Sequence, residues 1–386
     1  MRVLSILAVL AAGPVAAQTC GGSWSDFKDG LLAEAVARGV AQADAARFLA
    51  GARQDAEVLR ADRAQGVFQR DFIDFSRRLI SQNRIDNARA QSSRQDAIFD
   101  RIEAELGIPR EVMLAFWAFE TDFGAVQGNF NTRDALVTLS HDCRRPELFR
   151  PQVFAAMELA ARGDMDPDRT TGAWAGEIGM VQMLPGDIIE NGRDGDGDGR
   201  VSLKTSAPDA LLSGASVLAS LGWAPNQPWL QEVVVPAEMD WSLSGTETQL
   251  TTDQWAAMGV TARAGELPDL PASLILPMGR KGPAFLTYPN FDVYFEWNQS
   301  FVYVLTAAYF ATRIGGGQIY DAGTPDAGLS GDQIRQLQEK LQARGYDVGG
   351  ADGILGAKTR AAVQAEQQRL GLPADAWPTP ALLAQL

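Results

Sequence analysis

In the stretch "AFWAFETDFG", residues 115–124, an aromatic and apolar run ends in a carboxylate, Glu120. Such a group is rarely placed among apolar neighbours without a partner or a task. On a helix, Phe116 and Trp117 lie one turn before Glu120, and Phe123 lies nearly one turn after it. Loss of hydration there raises a carboxyl pKa, and an acid still protonated near neutral pH can give its proton to a leaving oxygen. The helix is equally compatible with a structural role, a buried glutamate paired with an arginine such as Arg144 or Arg145. Asp122, two residues on, points away from Glu120 in a continuing helix and reads as a surface or capping charge.

Other chemistries have fewer residues to draw on. His141 is the single histidine, whereas a typical catalytic zinc site uses more than one. A nucleophilic Cys143–His141 pair would join residues two apart, a poor geometry for that work. The segment "TGAWAGEIGMVQMLPGDI", residues 171–188, offers a different function. Gly176 and Gly179 let backbone approach a ligand closely, and Gln182 is a neutral donor and acceptor suited to a sugar amide or hydroxyl. A Gly-rich turn before a helix is the plainer reading of the same residues. Glu177 in this turn is either a second carboxylate near a site or a solvated charge, and solvated glutamates are the commoner case.

"DGDGDGRVSL" has the texture of a calcium loop. Asp194, Asp196 and Asp198 take positions 1, 3 and 5 of an EF-hand-like register, with Gly199 at the sharp turn. Arg200 offers its carbonyl and Ser202 a water-linked ligand. The last position falls on Thr205 in place of a bidentate glutamate, which predicts a weak calcium site or a solvated acidic turn. Among Tyr288, Phe291, Tyr294, Phe295 and Trp297, aromatics able to pack on sugar rings or fill a core, Trp297 beside Asn298 is the one expected in a cleft.

These residues need elements to hold them. Helical spacing runs through residues 24–106, and Pro109 opens a helix that reaches about Phe123 and stops at Gly124. "VMLAFWAF" is apolar on every side, the pattern of a buried helix. Helices follow at 146–161 and 208–221. From 230 to 290, "QEVVVP", "ASLILPM" and "AFLTY" read as short strands of a small β-containing insertion. "SFVYVLTAAYFATRIGGG" restores a helix, and residues 319–328 are a linker by composition. Residues 329–386 form a separate helical piece, with Ile334, Leu337, Leu341, Ala362 and Val363 as its shared core and a tight turn permitted by Gly353 and Gly356.

That last piece, through "QIRQLQEKLQARGYDVGGADGILGAKTRAAVQAEQQRLG", resembles small three-helix peptidoglycan-binding domains. The earlier motifs together resemble the lytic murein transglycosylase B family. They are "WAFETDFG", "LVTLSHDCRRPELF", "GAWAGEIGMVQMLP", "DGDGDGRVSLKTSAPDA" and "YPNFDVYFEWNQS", in family order. The resemblance implies a mainly α, α+β architecture: a lysozyme-like catalytic domain over 18–318 with a β-containing insertion, and a wall-binding domain after it. It implies that Glu120 is the catalytic acid and base, and that Gln182, Asn298, Arg144 and Arg145 face substrate. Trp297 stands where the family commonly has tyrosine. The implied reaction cuts the MurNAc–GlcNAc bond of peptidoglycan and leaves 1,6-anhydro ends, with no cofactor required for catalysis and calcium at most structural. Its rivals are a hydrolytic muramidase, which needs a second carboxylate, and a non-catalytic wall-binding protein.

Composition and compartment agree with a wall-acting protein. The 386 residues are 46% hydrophobic and 21% charged, as in a globular chain. A net charge of −14 gives no general attraction for nucleic acid or anionic lipid. Arg2, the apolar Val3–Val15 and the small residues Val15-Ala16-Ala17 are expected to form a signal peptide over 1–17. No run is long enough for a spanning helix, and nothing before Cys20 resembles a lipoprotein box, so a soluble periplasmic protein is expected. Export favours one disulfide between the two cysteines, Cys20 and Cys143, tying the mature N-terminus to the loop at 140–145.

Overall fold

The computed structural model describes residues 20–64 and 69–386, so the expected signal peptide lies outside the described residues. Two compact units divide the chain. Residues up to 62, 129–177 and 184–186 form the first; residues 63–128, 178–183 and 187–386 form the second.

The first unit begins with α1 (Trp24–Ala37), α2 (Gln42–Ala50) and α3 (Ala56–Arg63, which ends at the boundary). Ser23 caps α1 by accepting from the Asp26 N–H. Cys20 and Cys143 are joined, with their Cα atoms 5.2 Å apart, and His141 stands edge-on to Trp24 and Phe27 beside them.

The second unit carries α4 (Phe72–Leu79), α5 (Gln82–Arg94), α6 (Asp96–Leu106) and α7 (Arg110–Thr121). Back in the first unit, β1 (Phe130–Asn131) pairs antiparallel with β2 (Thr171–Gly172) around α8 (Thr132–His141) and α9 (Pro146–Arg162). After α10 (Pro185–Asn191) and α11 (Ala207–Ser220), the second unit continues with the expected insertion. It contains β3 (Leu230–Val234), β4 (Leu250–Thr251), α12 (Thr252–Ala257), β5 (Thr261–Ala262), β6 (Pro271–Ile275) and β7 (Phe285–Thr287). These strands form one antiparallel sheet in the order β4-β6-β7-β3-β5, with Leu274 opposite Leu286. Trp255 of α12 fills its face and donates its indole N–H to the Ala272 carbonyl.

Two helices precede the C-terminal domain: α13 (Pro289–Trp297) and α14 (Phe301–Ile314). Every residue of α7 from Val112 to Ala118 is buried, as its all-round apolar pattern predicts. Each large side chain buried there stabilises the unit by roughly 1.5–3 kcal/mol. α14 is almost as completely buried and packs on α7. The site is therefore carried by two buried helices packed on one another.

The C-terminal domain is α15 (Gly331–Ala343), α16 (Ala357–Arg369) and α17 (Pro380–Leu383). Its core holds all five residues expected from the sequence, joined by Val348, Leu382 and Leu383. Ser330 and Gln333 form a capping box at α15. The turn's glycine requirement sits at Gly353, which has φ 79° and would put a Cβ 2.6 Å from the Gly331 carbonyl. Gly356 does not share it: its φ is −81° with open space around it, so a Cβ is tolerated there. Residues 319–328 follow an extended path that is bonded along its length, through Ile319 to Arg263, Asp321 to Glu232 and Asp326 to Lys281 and Trp377.

Candidate active site

Glu120 sits on the last turn of α7 and keeps part of its surface accessible. Its Oε1 accepts two hydrogen bonds, from the Trp297 indole N–H at 3.0 Å and the Tyr303 hydroxyl at 2.5 Å. Burial pushes its pKa up, and the Tyr303 and Trp297 donors pull partly against it. No ion pair to Glu120 occurs among the described residues, so the arginine-paired alternative is not the one the fold adopts. The Tyr303 hydroxyl is itself held far above its ordinary pKa by burial and by the Glu120 charge, so it remains a donor. Because Oε1 is occupied by two donors, Oε2 is the oxygen left to carry a proton.

The end of α7 is built to expose this carboxyl. Asp122 and Phe123 adopt left-handed conformations, φ 50° and 61°, and Gly124 follows at 86°. The Asp122 and Phe123 N–H groups close the helix on the Ala118 and Trp117 carbonyls. Asp122 is exposed and lies 3.3 Å from the Arg84 guanidinium. Thr121 then locks the helix end to the Gly-rich turn, donating to the Met180 carbonyl at 2.6 Å and accepting from the Gly124 N–H at 2.8 Å.

That turn is closed by reciprocal bonds between Ile178 and Met183, 2.8 and 3.1 Å. Gly179 is required at φ 86°, where a Cβ would meet Leu203 at 2.5 Å. Gln182 is held at φ 54°, a conformation a non-glycine residue adopts at some cost and commonly at functional sites. Its Nε2 donates to the Gly179 and Gln127 carbonyls, leaving Oε1 without a protein donor among the described residues. Asn298 accepts from the Ser300 N–H at 2.9 Å, and its Nδ2 has no partner among the described residues.

The five aromatics of the late segment separate as follows. Tyr288, Phe291 and Tyr294 are buried, Phe295 is half-buried, and Trp297 reaches Glu120. Tyr294 and Trp297 both lie against Phe116, at 4.9 and 4.7 Å between ring centroids. Tyr303 was missed by sequence reasoning because "SFVYVLTAAYF" reads as core throughout; its place five residues after Asn298, on the next helix, was the available signal.

Arg144 and Arg145 belong to the first unit, where both guanidiniums converge on Asp62. Asp62 is 1% exposed. Burial pushes its pKa up, but the two arginines outweigh that and hold it below the usual carboxylate value. Arg145 also lies over the Phe149 ring at 5.2 Å. Glu177 is half-buried in the same unit, not fully solvated.

In the acidic loop the converging carboxylates are those of Asp194, Asp196 and Asp209, within 4.8 Å of one another. Asp198 is not part of this cluster; its Oδ1 accepts from the Arg200 N–H at 2.8 Å. Asp209, on α11, accepts from the Gly195 and Ser202 N–H groups and so ties the loop to a helix. Asp194 is held below its usual pKa by the Gly199 and Gly197 N–H groups. An all-oxygen, triply acidic set suits a hard divalent cation.

Comparison with known proteins gives this geometry a family. Residues 330–386 match the peptidoglycan binding domain family. Membrane-bound lytic murein transglycosylase B of Escherichia coli (strain K12) is 25% identical over 236 residues, 61% of this chain and 64% of that protein's length. The chain thus aligns with somewhat under two thirds of that relative. SltB3 from Pseudomonas aeruginosa, solved with NAG-anhNAM-pentapeptide, superposes with a TM-score of 0.85 at 35% identity, covering 95% of this chain and 99% of that one. Escherichia coli Slt35, solved with calcium, shares the fold at a TM-score of 0.66 and 22% identity over 78% of this chain and 97% of that one. Residues 23–312 match the family described as transglycosylase SLT domain, and the chain belongs to it.

Proposed function

We propose that this protein is a lytic transglycosylase that cleaves the MurNAc–GlcNAc β-1,4 bond of peptidoglycan and leaves 1,6-anhydromuramic acid ends. The observation that carries the reading is the environment of Glu120. It is a largely desolvated carboxyl with a raised pKa, and its hydrogen-bond partners among the described residues are two neutral donors, with neither a cation nor a carboxylate bonded to it. Hydrolysis by an ordinary glycosidase needs two carboxylates at a set separation; a transglycosylase needs one.

Glu120 Oε2–H gives its proton to the bridging oxygen as the bond from C1 breaks. The substrate's own 2-acetamido oxygen stabilises C1. The Trp297 and Tyr303 donors steady the carboxylate that results. That carboxylate then takes the proton of the C6 hydroxyl as O6 bonds to C1, closing the anhydro ring and restoring the acid. No water is consumed. In this reading Gln182 Oε1 and Asn298 Nδ2 are the free polar atoms that meet sugar groups, and Trp297 borders the same cleft; Arg144 and Arg145, held by Asp62, are substrate-facing on the family resemblance alone. The C-terminal domain holds the wall.

Export to the periplasm belongs to the same proposal, supported by the signal-like pattern of residues 1–17 and the Cys20–Cys143 bond. No described helix is long and apolar enough to cross a membrane. Calcium is proposed as a structural ion held by Asp194, Asp196 and Asp209. A chelator should lower the unfolding midpoint, and an unchanged midpoint removes the ion from the account.

Mass spectrometry of murein digested with the purified protein tests the reaction. Anhydro ends are expected. Reducing ends would replace this reading with a muramidase, and no released fragments would leave a wall-binding protein.

A further inference from the structure

We infer that Arg360, on α16 of the wall-binding domain, is a positioning residue for the reaction at Glu120: it fixes the Phe301 corner that joins the two helices carrying the Glu120 donors. The inference deepens the proposed function and rests on it.

The Arg360 guanidinium carbon lies 4.4 Å from the centroid of the Phe301 ring and 5.8 Å from that of Trp377. Its Nη2 donates to the Pro277 carbonyl at 2.8 Å. Its Nε is buried without a hydrogen-bond partner among the described residues, which leaves the aromatic face as the compensation for that donor.

Phe301 is the first residue of α14, two before Tyr303 and three after Asn298. Its ring also touches Phe295 of α13, at 6.3 Å between centroids, and Phe295 precedes Trp297 by two. Both donors to Glu120 therefore hang on helices that meet at the ring Arg360 holds. At this corner Ser300, the N-cap of α14, makes no side-chain capping bond, and its buried Oγ has no partner among the described residues. The wall-binding domain is secured to the same unit elsewhere, through Gln364 to the Ser244 carbonyl at 2.7 Å and Asp375 to the Arg280 N–H at 3.1 Å.

The titratable groups around Glu120 are few. Tyr303 bonds it, Tyr294 stands behind Tyr303 with Glu111 acting on it, and Arg84 and Asp122 pair with each other at the end of α7. A slack corner weakens the donors that favour the carboxylate, so the Glu120 midpoint moves up and the alkaline limb of kcat against pH moves up with it.

The test uses the full chain and a soluble murein fragment, which isolates catalysis from wall binding. Arg360→Ala should lower kcat about tenfold with KM changed less than about twofold. Phe301→Leu should do the same, and the double variant should be no worse than either single one. Arg360→Lys, which keeps the charge and loses the planar stack, should fall between. Unfolding curves report the folded fraction, so that rates are compared per folded molecule. A normal kcat per folded molecule with an unmoved alkaline limb, while wild type is active, overturns the role of Arg360 alone. Absence of anhydro product from wild type overturns the reaction, and this role with it.

Discussion

Two carboxylates of this chain are both taken out of water, and the fold treats them in opposite ways. Asp62 faces two guanidiniums, and its pKa falls despite burial. Glu120 faces an indole and a phenol, and its pKa rises. The difference lies in the partners' charge. A cation stabilises the carboxylate enough to outweigh lost hydration, whereas neutral donors recover only part of it. Asp62 thus remains a fixed charge that organises Arg144 and Arg145. Glu120 is biased toward its protonated form, which is the property its proposed chemistry requires.

The largest expected effect comes from removing the proton donor. Glu120→Gln keeps the size and the hydrogen bonds of the side chain, and should lower fragment release from murein by at least about 10³-fold. Release at the wild-type rate would move the chemistry to another residue. Tyr303→Phe breaks the comparison more gently, since it removes one donor and leaves the ring. Activity should fall roughly 10–100-fold, and the alkaline limb of the pH profile should move up as the carboxylate loses support. A limb that moves down would mean that Tyr303 acts on something other than Glu120.

Much of this contrast could be read in advance, and the part that could not has a physical reason. The burial of Glu120 follows from "VMLAFWAF", since a helix apolar on all sides must be enclosed. The partners did not follow. Asp62 is separated by 82 residues from Arg144, and Tyr303 by 183 from Glu120, distances at which local periodicity carries no information. Asp209 escaped for a related reason: it lies on α11, beyond the span of a twelve-residue loop template. Gln182 was legible as a polar residue in a Gly-rich turn, but its left-handed backbone depends on the Ile178–Met183 closure. The sequence also placed turn freedom at Gly356, where only Gly353 needs it.

Smaller effects separate the two carboxylates by stability. Asp62 has a lowered folded pKa, so its contribution is present above the unfolded value near 3.8 and is lost as pH falls through the folded one. Asp62→Asn should cost about 1–3 kcal/mol at neutral pH, read from denaturant unfolding, and much less in acid. Glu120 has the opposite sign. Its folded pKa is raised, so the unfolded chain ionises first and the folded state loses stability as pH rises from about 4.5 through the folded value. Glu120→Gln should therefore raise the unfolding midpoint at pH 7 and leave it little changed at pH 4. A lower midpoint at pH 7 would mean that the native carboxyl is charged and stabilised.

The most direct test is a site-resolved titration of the two groups in one sample. Carboxyl-13C resonances of Glu120 and Asp62, assigned through Glu120→Gln and Asp62→Asn, are followed across the acid and neutral range. The account predicts a Glu120 midpoint above 4.5 and an Asp62 midpoint below 3.8. A Glu120 midpoint at or below 4.5 would contradict it, because the residue would then reach its substrate without a proton to give.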